Sequence, residues 1–179
     1  MRILFYLLSI VTANVVTAAF APLQFGMFIV PMGTLLIGAT FIFRDLVQNK
    51  YGRAKTYLFI IIALALSALV SFMLGDTLLI VVASALSFVV AETADTEIYT
   101  RLKLPMAWRV FYSGIVGGFL DSVIFVVIGL SPLGANFLPW EAVPLAILGQ
   151  IIVKTIIQMF GALILNQVQV SKEKRLVSE

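Results

Sequence analysis

The chain has 179 residues, of which 61% are hydrophobic and 12% charged, and its net charge is +3. A soluble domain carries about 25% charged residues and could not hide so large an apolar fraction in one core, so the soluble classes are excluded. The absence of Cys and His further excludes disulfide frameworks, thiol nucleophiles, zinc-protease motifs and Ser-His catalysis.

Six apolar segments follow in chain order. The first, 3–21, opens after Arg2 and ends before Pro22. Its Ala19-Phe20-Ala21 resembles a signal-cleavage site, but the stretch is longer than a usual signal core and reads as a span. The second, 27–46, carries Arg44 and Asp45 near its end and is followed by Gly52. The third, 56–74, stops at Gly75-Asp76. The fourth, 77–98, carries Glu92 and Asp95 and precedes Pro105. The fifth, 109–130, carries Asp121 and stops at Ser131-Pro132-Leu133-Gly134. The sixth, 141–166, carries Gln150, Lys154 and Gln158.

Each segment approaches the ~20 residues of a helical span. They are too long and too evenly apolar for barrel strands of about 10 residues. The expected fold is all-α: a polytopic membrane domain of six transmembrane helices over 1–166, then a polar basic tail, 167–179, expected to fray. Three spans followed by three run in opposite orientations, which admits a 3+3 inverted repeat.

Charge sets the topology. Arg2, Lys50, Arg53, Lys55, Arg101, Lys103, Arg109, Lys172, Lys174 and Arg175 are ten of the twelve basic residues, and all fall on one side of the six-span arrangement. The opposite loops contain none. Short loops rich in Lys and Arg stay cytoplasmic, so both termini are expected inside a cell (inner) membrane. The basic balance therefore reflects topology, and nucleic-acid binding is not expected. The tail's Lys and Arg are expected to touch anionic lipid.

What remains at membrane depth is a short polar set: Asn14, Arg44, Asp45, Glu92, Asp95, Asp121, Gln150, Lys154 and Gln158. Ionisable groups there cost several kcal/mol unless paired or hydrated, which makes each a functional candidate. Asp121 lies twelve residues past Arg109, ~18 Å into the bilayer at 1.5 Å per residue. Lys154 and Asn14 fall at a similar depth, and an Asp121–Lys154 pair is expected. Glu92 and Asp95 share one face of span 4, and Arg44 is expected to pair with one of them. Gln150, Lys154 and Gln158 recur every fourth residue, a stripe that must face protein or water. These charges either fix helix packing as ion pairs or line a hydrated cavity open toward one side; their spread over several spans favours the cavity. Gly114 and Gly118 are expected to admit a close neighbour helix. Trp108 and Trp140 suit interfacial anchors.

An intramembrane enzyme would need an aspartyl pair, and the flanking residues do not match one, so catalysis is not expected. Charges of both signs on different helices suit small-molecule transport better than a pore. A non-transporting scaffold is the alternative outside transport.

Several segments resemble the queuosine precursor transporter family, earlier described as a vitamin uptake transporter family of six-span proteins. The residues that carry the resemblance are Asp45-Leu46 with Tyr51-Gly52, then Ser84, Ser87-Phe88, Glu92-x-x-Asp95, Trp108-Arg109, Ser113, Asp121-Ser122, Phe125 and Lys154. The similarity runs over roughly residues 10–160. Asn49 departs from it where an acidic residue is common, as does Arg44 where a small polar residue is common, and the chain is short.

The resemblance implies import of a 7-deazaguanine precursor of queuosine: the cyano base, the aminomethyl base or queuine. A guanine-like edge offers adjacent N–H donors that a carboxylate accepts in pairs, a role for Glu92 or Asp95. Phe88, Phe125 or Trp108 could stack on the planar base. Asp121 could meet an aminomethyl cation, and Gln150, Gln158 and Asn14 the carbonyl and amide edges. Arg44, Asp45, Asp121 and Lys154 are candidates for coupling or gating, with protonation of Asp121 breaking its pair to Lys154. With no nucleotide-binding motif, transport would be secondary or facilitated, without cofactor or metal. The alternative within transport is the substrate-binding subunit of an energy-coupling-factor vitamin importer. The expected partners are the substrate and the lipid bilayer, with a homo-oligomer compatible with either reading.

Overall fold

The structure is a computed structural model that describes the fold of residues 1–178 and the side-chain surroundings of residues 1–171. The helices are α1 (Arg2–Ala19), α2 (Thr34–Tyr51), α3 (Arg53–Met73), α4 (Leu78–Arg101), α5 (Met106–Ile124) and α6 (Val143–Ser178), with a short hairpin of β1 (Leu23–Phe25) and β2 (Phe28–Val30) between α1 and α2. α5 continues directly into a π-helical turn, Phe125–Leu130.

The apolar residues lie outside and the polar ones inside. α3 shows why: Thr56, Ile60, Ala63, Ser67 and Ser71 recur at helical spacing and are buried, whereas Leu58, Ile61, Leu69 and Phe72 face outward. A helix in lipid turns its polar stripe toward its neighbours, because nothing in hydrocarbon can hydrogen-bond it. Among the described residues, five helical segments are long and apolar enough to cross a membrane: α1, α3, α4, α5 with its π-turn, and α6. The protein is a multi-pass membrane protein. α2 is the exception in composition, carrying Arg44, Asp45 and Lys50, and it packs against all five other helices. That central position lets the adjacent residues Arg44 and Asp45 both be buried.

The helix ends fall into two sets. Arg2 Nη1 donates to Leu46 O at 3.1 Å, and Arg53 pairs with Glu97 at 2.6 Å. The start of α1 therefore lies near the end of α2, and the start of α3 near the end of α4. We call this end the basic face. The hairpin, the α3–α4 turn and the α5–α6 connection form the opposite end, the hairpin face.

The expected second span is corrected. Residues 27–33 are not helical; they complete the hairpin and a turn, and the helix runs instead from Thr34 to Tyr51. Pro22, Gly26, Pro31 and Gly33 punctuate this apolar stretch too closely for a helix, and Gly26 turns the hairpin with φ +60°. Gly52, with φ +80°, is the whole connection between α2 and α3, so Lys50, Arg53 and Lys55 sit in helix ends rather than in a loop. The tail expected to fray continues α6 to Ser178. The side chains of Lys172, Lys174 and Arg175, expected at the lipid surface, lie outside the described residues.

Candidate functional site

A cavity of about 500 Å³ enters the bundle from the hairpin face, within the 300–1,000 Å³ usual for small-molecule sites. Its walls come from every helix. α1 gives Asn14, α3 gives Ser67 and Ser71, and α4 gives Phe88. Asp121 and Phe125 come from α5 and its π-turn, and Gln150 and Lys154 from α6. The π-turn has a backbone cause: Ser131 N bonds Val126 O, five residues back, at 2.9 Å. Such a turn re-aims side chains, and Phe125 is its first residue.

At the inner wall, Lys154 Nζ donates to Asp121 Oδ2 at 2.6 Å, Ser122 Oγ at 2.8 Å and Gln150 Oε1 at 3.2 Å. The expected Asp121–Lys154 pair is therefore present. All three ammonium protons are engaged, while Asp121 is bonded through one oxygen and keeps 14% of its side chain exposed. Buried Gln150 Nε2 has no hydrogen-bond partner among the described residues. Asn14 Nδ2 donates to Ser67 O and Oγ at 3.1 and 2.9 Å, tying α1 to α3. Nearer the mouth, Ser71 Oγ hydrogen-bonds Asp76 Oδ2, and Asp76 also lines the cavity.

The other charges form a second, separate group toward the basic face. Arg44 meets Asp45 at 3.0 Å and Glu92 at 3.2 Å, and it also pairs with Asp95. It was expected to take Glu92 or Asp95 and takes both. Its Nη1 donates to Gln48 Oε1 at 3.0 Å and Thr96 Oγ1 at 2.6 Å. Gln48 Nε2 extends the network to Thr96 O and Thr100 Oγ1. Ser113 of α5 reaches Asp45 Oδ2 at 3.5 Å. The side chains of Arg44, Asp45, Glu92 and Asp95 are 0–1% exposed. Phe88 lies on the cavity wall, and Glu92 follows one turn later, about 6 Å along the helix axis.

Of the residues expected at the substrate, Asn14, Phe88, Asp121, Phe125, Gln150 and Lys154 come together around the cavity. Glu92, Asp95, Gln158 and Trp108 are not among its walls. Glu92 and Asp95 are engaged with Arg44. Gln158 is fully buried, donates to Gly38 O at 2.9 Å and thereby links α6 to α2. Trp108 is half exposed on the bundle's outside and stacks on Tyr112 at 5.9 Å, which suits the anchor role. Ser67, Ser71 and Asp76 were not singled out from the sequence. Ser67 and Ser71 belong to the helical polar stripe of α3, and that periodicity was the available signal.

A family model described as "Putative vitamin uptake transporter" matches residues 70–167. That region spans α4, α5, the π-turn and the cavity-lining part of α6. No curated protein sequence and no solved structure matches the chain.

Proposed function

The chain belongs to the vitamin uptake transporter family, and from that premise we propose that it imports a 7-deazaguanine precursor of queuosine. The observation that carries the reading is the Asp121–Lys154 pair set in the wall of an aromatic-flanked cavity. A guanine-like base presents adjacent N–H donors, a carbonyl acceptor and a planar apolar face. Asp121 accepts the donors through its less engaged oxygen, and the unpartnered Gln150 Nε2 donates to the carbonyl. Phe88 and Phe125 offer ring faces, worth about 1 kcal/mol per stacked contact. Asn14 contributes at the far wall. Asp76 supplies a second carboxylate for a cationic substituent.

In this reading the basic face is cytoplasmic, α2 is a sixth span, and the cavity opens away from the cytoplasm. Binding of the base at Asp121 loosens Lys154, and the bundle then opens toward the cytoplasm where Arg44 holds α2 against α4. A substrate shifts such an equilibrium only by the difference in its affinity for the two states. Lys154, which ties α6 to Asp121 and Ser122 of α5, is the group whose contacts change.

The test is the queuosine content of tRNA in a cell unable to make or import precursors and expressing only this chain. The cyano base, the aminomethyl base and queuine are supplied in separate cultures. Restored queuosine with one base supports autonomous import and names the substrate. No rescue with any base, given verified membrane expression and competent downstream enzymes, refutes autonomous import of these bases and leaves an importer subunit or another solute.

A further inference from the structure

Arg44 faces three carboxylates in a fully buried space. Asp45, Glu92 and Asp95 are each paired to it, with all four side chains 0–1% exposed. Fully ionised, the group sets three negative charges against one positive charge.

The surrounding elements do not make up the difference. α1 faces it with Tyr6, whose buried hydroxyl lies within reach of Glu92 but is not aligned to hydrogen-bond any of the described residues. α2 adds the neutral Gln48, and α4 adds Thr96 and Tyr99. α3 turns only Thr56, Ile60, Ala63, Ser67 and Ser71 inward. On α5, Arg109 stacks over the Tyr99 ring at 4.5 Å and forms no ion pair among the described residues. Asp121, also on α5, is negative, and its charge is already cancelled by Lys154 of α6. An uncompensated buried carboxylate is strongly unfavourable because its hydration is lost, and protonation removes that penalty.

We infer that the Arg44 cluster is a proton-binding site, distinct from the substrate cavity. Two protons distributed over Asp45, Glu92 and Asp95 balance the cluster while it is buried, and a protonated Glu92 can donate to the Tyr6 hydroxyl. When α2 parts from α4 and water enters, a carboxylic O–H bond breaks and the proton passes to water, leaving the carboxylate; no electron is transferred. The closed basic face therefore binds more protons than the open one, so a proton gradient biases the exchange between them. The coupling half of the inference rests on the transport reading, whereas the proton occupancy does not. It places the coupling proton on the unbalanced cluster rather than on Asp121, whose pair with Lys154 is already neutral.

Infrared spectroscopy of the purified full chain at neutral pH tests the occupancy. The expected result is a deuterium-sensitive carbonyl stretch of a protonated carboxylic acid. It should diminish in Glu92→Gln, Asp95→Asn or Asp45→Asn variants that keep a cooperative thermal transition, and persist in Asp121→Asn. The absence of a band that responds to any of the three cluster substitutions overturns the site. In proteoliposomes, an alkaline interior should drive accumulation of the cyano base, the aminomethyl base or queuine above equilibrium. Glu92→Gln, which leaves one excess carboxylate instead of two against Arg44, should lower that ratio. Accumulation by the original chain that ignores the pH gradient overturns coupling at the cluster. Failure of all three bases to cross, with the infrared signal intact, refutes autonomous import of these bases while supporting the proton site.

Discussion

Gln158 of α6 occupies the space that a side chain at Gly114 of α5 would need: a methyl there would meet Gln158 Nε2 at 2.8 Å and Oε1 closer still. One turn along, Gly118 stands against Lys154, with a virtual Cβ 3.4 Å from the lysine Cβ and Cδ. The two glycines thus set how deeply the polar stripe of α6 can enter the bundle. Gly117, on a neighbouring face, makes the same allowance for Asp95 and Phe41.

Gly114→Ala is therefore expected to lower thermal stability by the cost of overpacking, about 1–3 kcal/mol. The combination with Gln158→Ala should recover part of that loss, because it removes the atoms in the way. It also forfeits the Gln158–Gly38 hydrogen bond, so recovery should be incomplete. Thermal unfolding of the purified variants in detergent checks both. A double variant no more stable than Gly114→Ala alone would contradict this packing.

The Asp121–Lys154 pair makes a different prediction. Either partner alone is left facing the other's vacancy in a poorly hydrated wall, and breaking a buried pair costs about 3–5 kcal/mol. Lys154→Gln and Asp121→Asn should each reduce stability sharply. The double variant should be less destabilised than the sum of the two, with a coupling of about 1 kcal/mol or more. Uptake should fall at least tenfold in all three, since the carboxylate that meets the base is gone or misplaced. Strict additivity in stability would mean the two groups do not interact.

These positions also mark how far the sequence could be read. The helices on long apolar runs, the Asp121–Lys154 pair, the inward stripe of α6 and the close approach at Gly114 and Gly118 were all legible. Periodicity and depth decide them locally. The hairpin at Leu23–Val30 does not follow from hydropathy, which does not separate an apolar hairpin from a short apolar helix; its signal is the punctuation by Pro22, Gly26, Pro31 and Gly33. The division of charges into a cavity pair and a dry cluster was also hidden. Arg44 and Glu92 are far apart in sequence, and their meeting depends on how α2 sits among its five neighbours. Asp76 reads in the sequence as a loop residue, and its approach to Ser71 and the cavity mouth is a consequence of the tight turn after α3.

Trp108 separates the sequence expectation from the geometry. It lies on the outer surface, stacked on Tyr112, and away from the cavity walls. Trp108→Phe should leave the KM for uptake within about twofold of the original. Phe88→Ala and Phe125→Ala should raise KM by removing a stacking face, each by roughly fivefold for about 1 kcal/mol. A large KM effect confined to Trp108 would move the base to the outside of α5 and reject the cavity as its site.

Asp76 carries the last prediction, which concerns discrimination between substrates. It lies on the cavity wall with one carboxylate oxygen held by Ser71, closer to the mouth than Asp121. A carboxylate there favours a substrate bearing an ammonium group over a neutral one, through a pair interaction of roughly 1 kcal/mol where water still penetrates. Asp76→Asn should therefore weaken uptake of the aminomethyl base about fivefold while leaving the cyano base nearly unchanged. Ser71→Ala should shift the same ratio in the same direction by less, because it frees the carboxylate without removing its charge. Competition between the two bases in one uptake assay reads the ratio directly and cancels differences in expression. If Asp76→Asn lowered both uptakes equally, Asp76 would be supporting the α3–α4 turn rather than selecting the substrate.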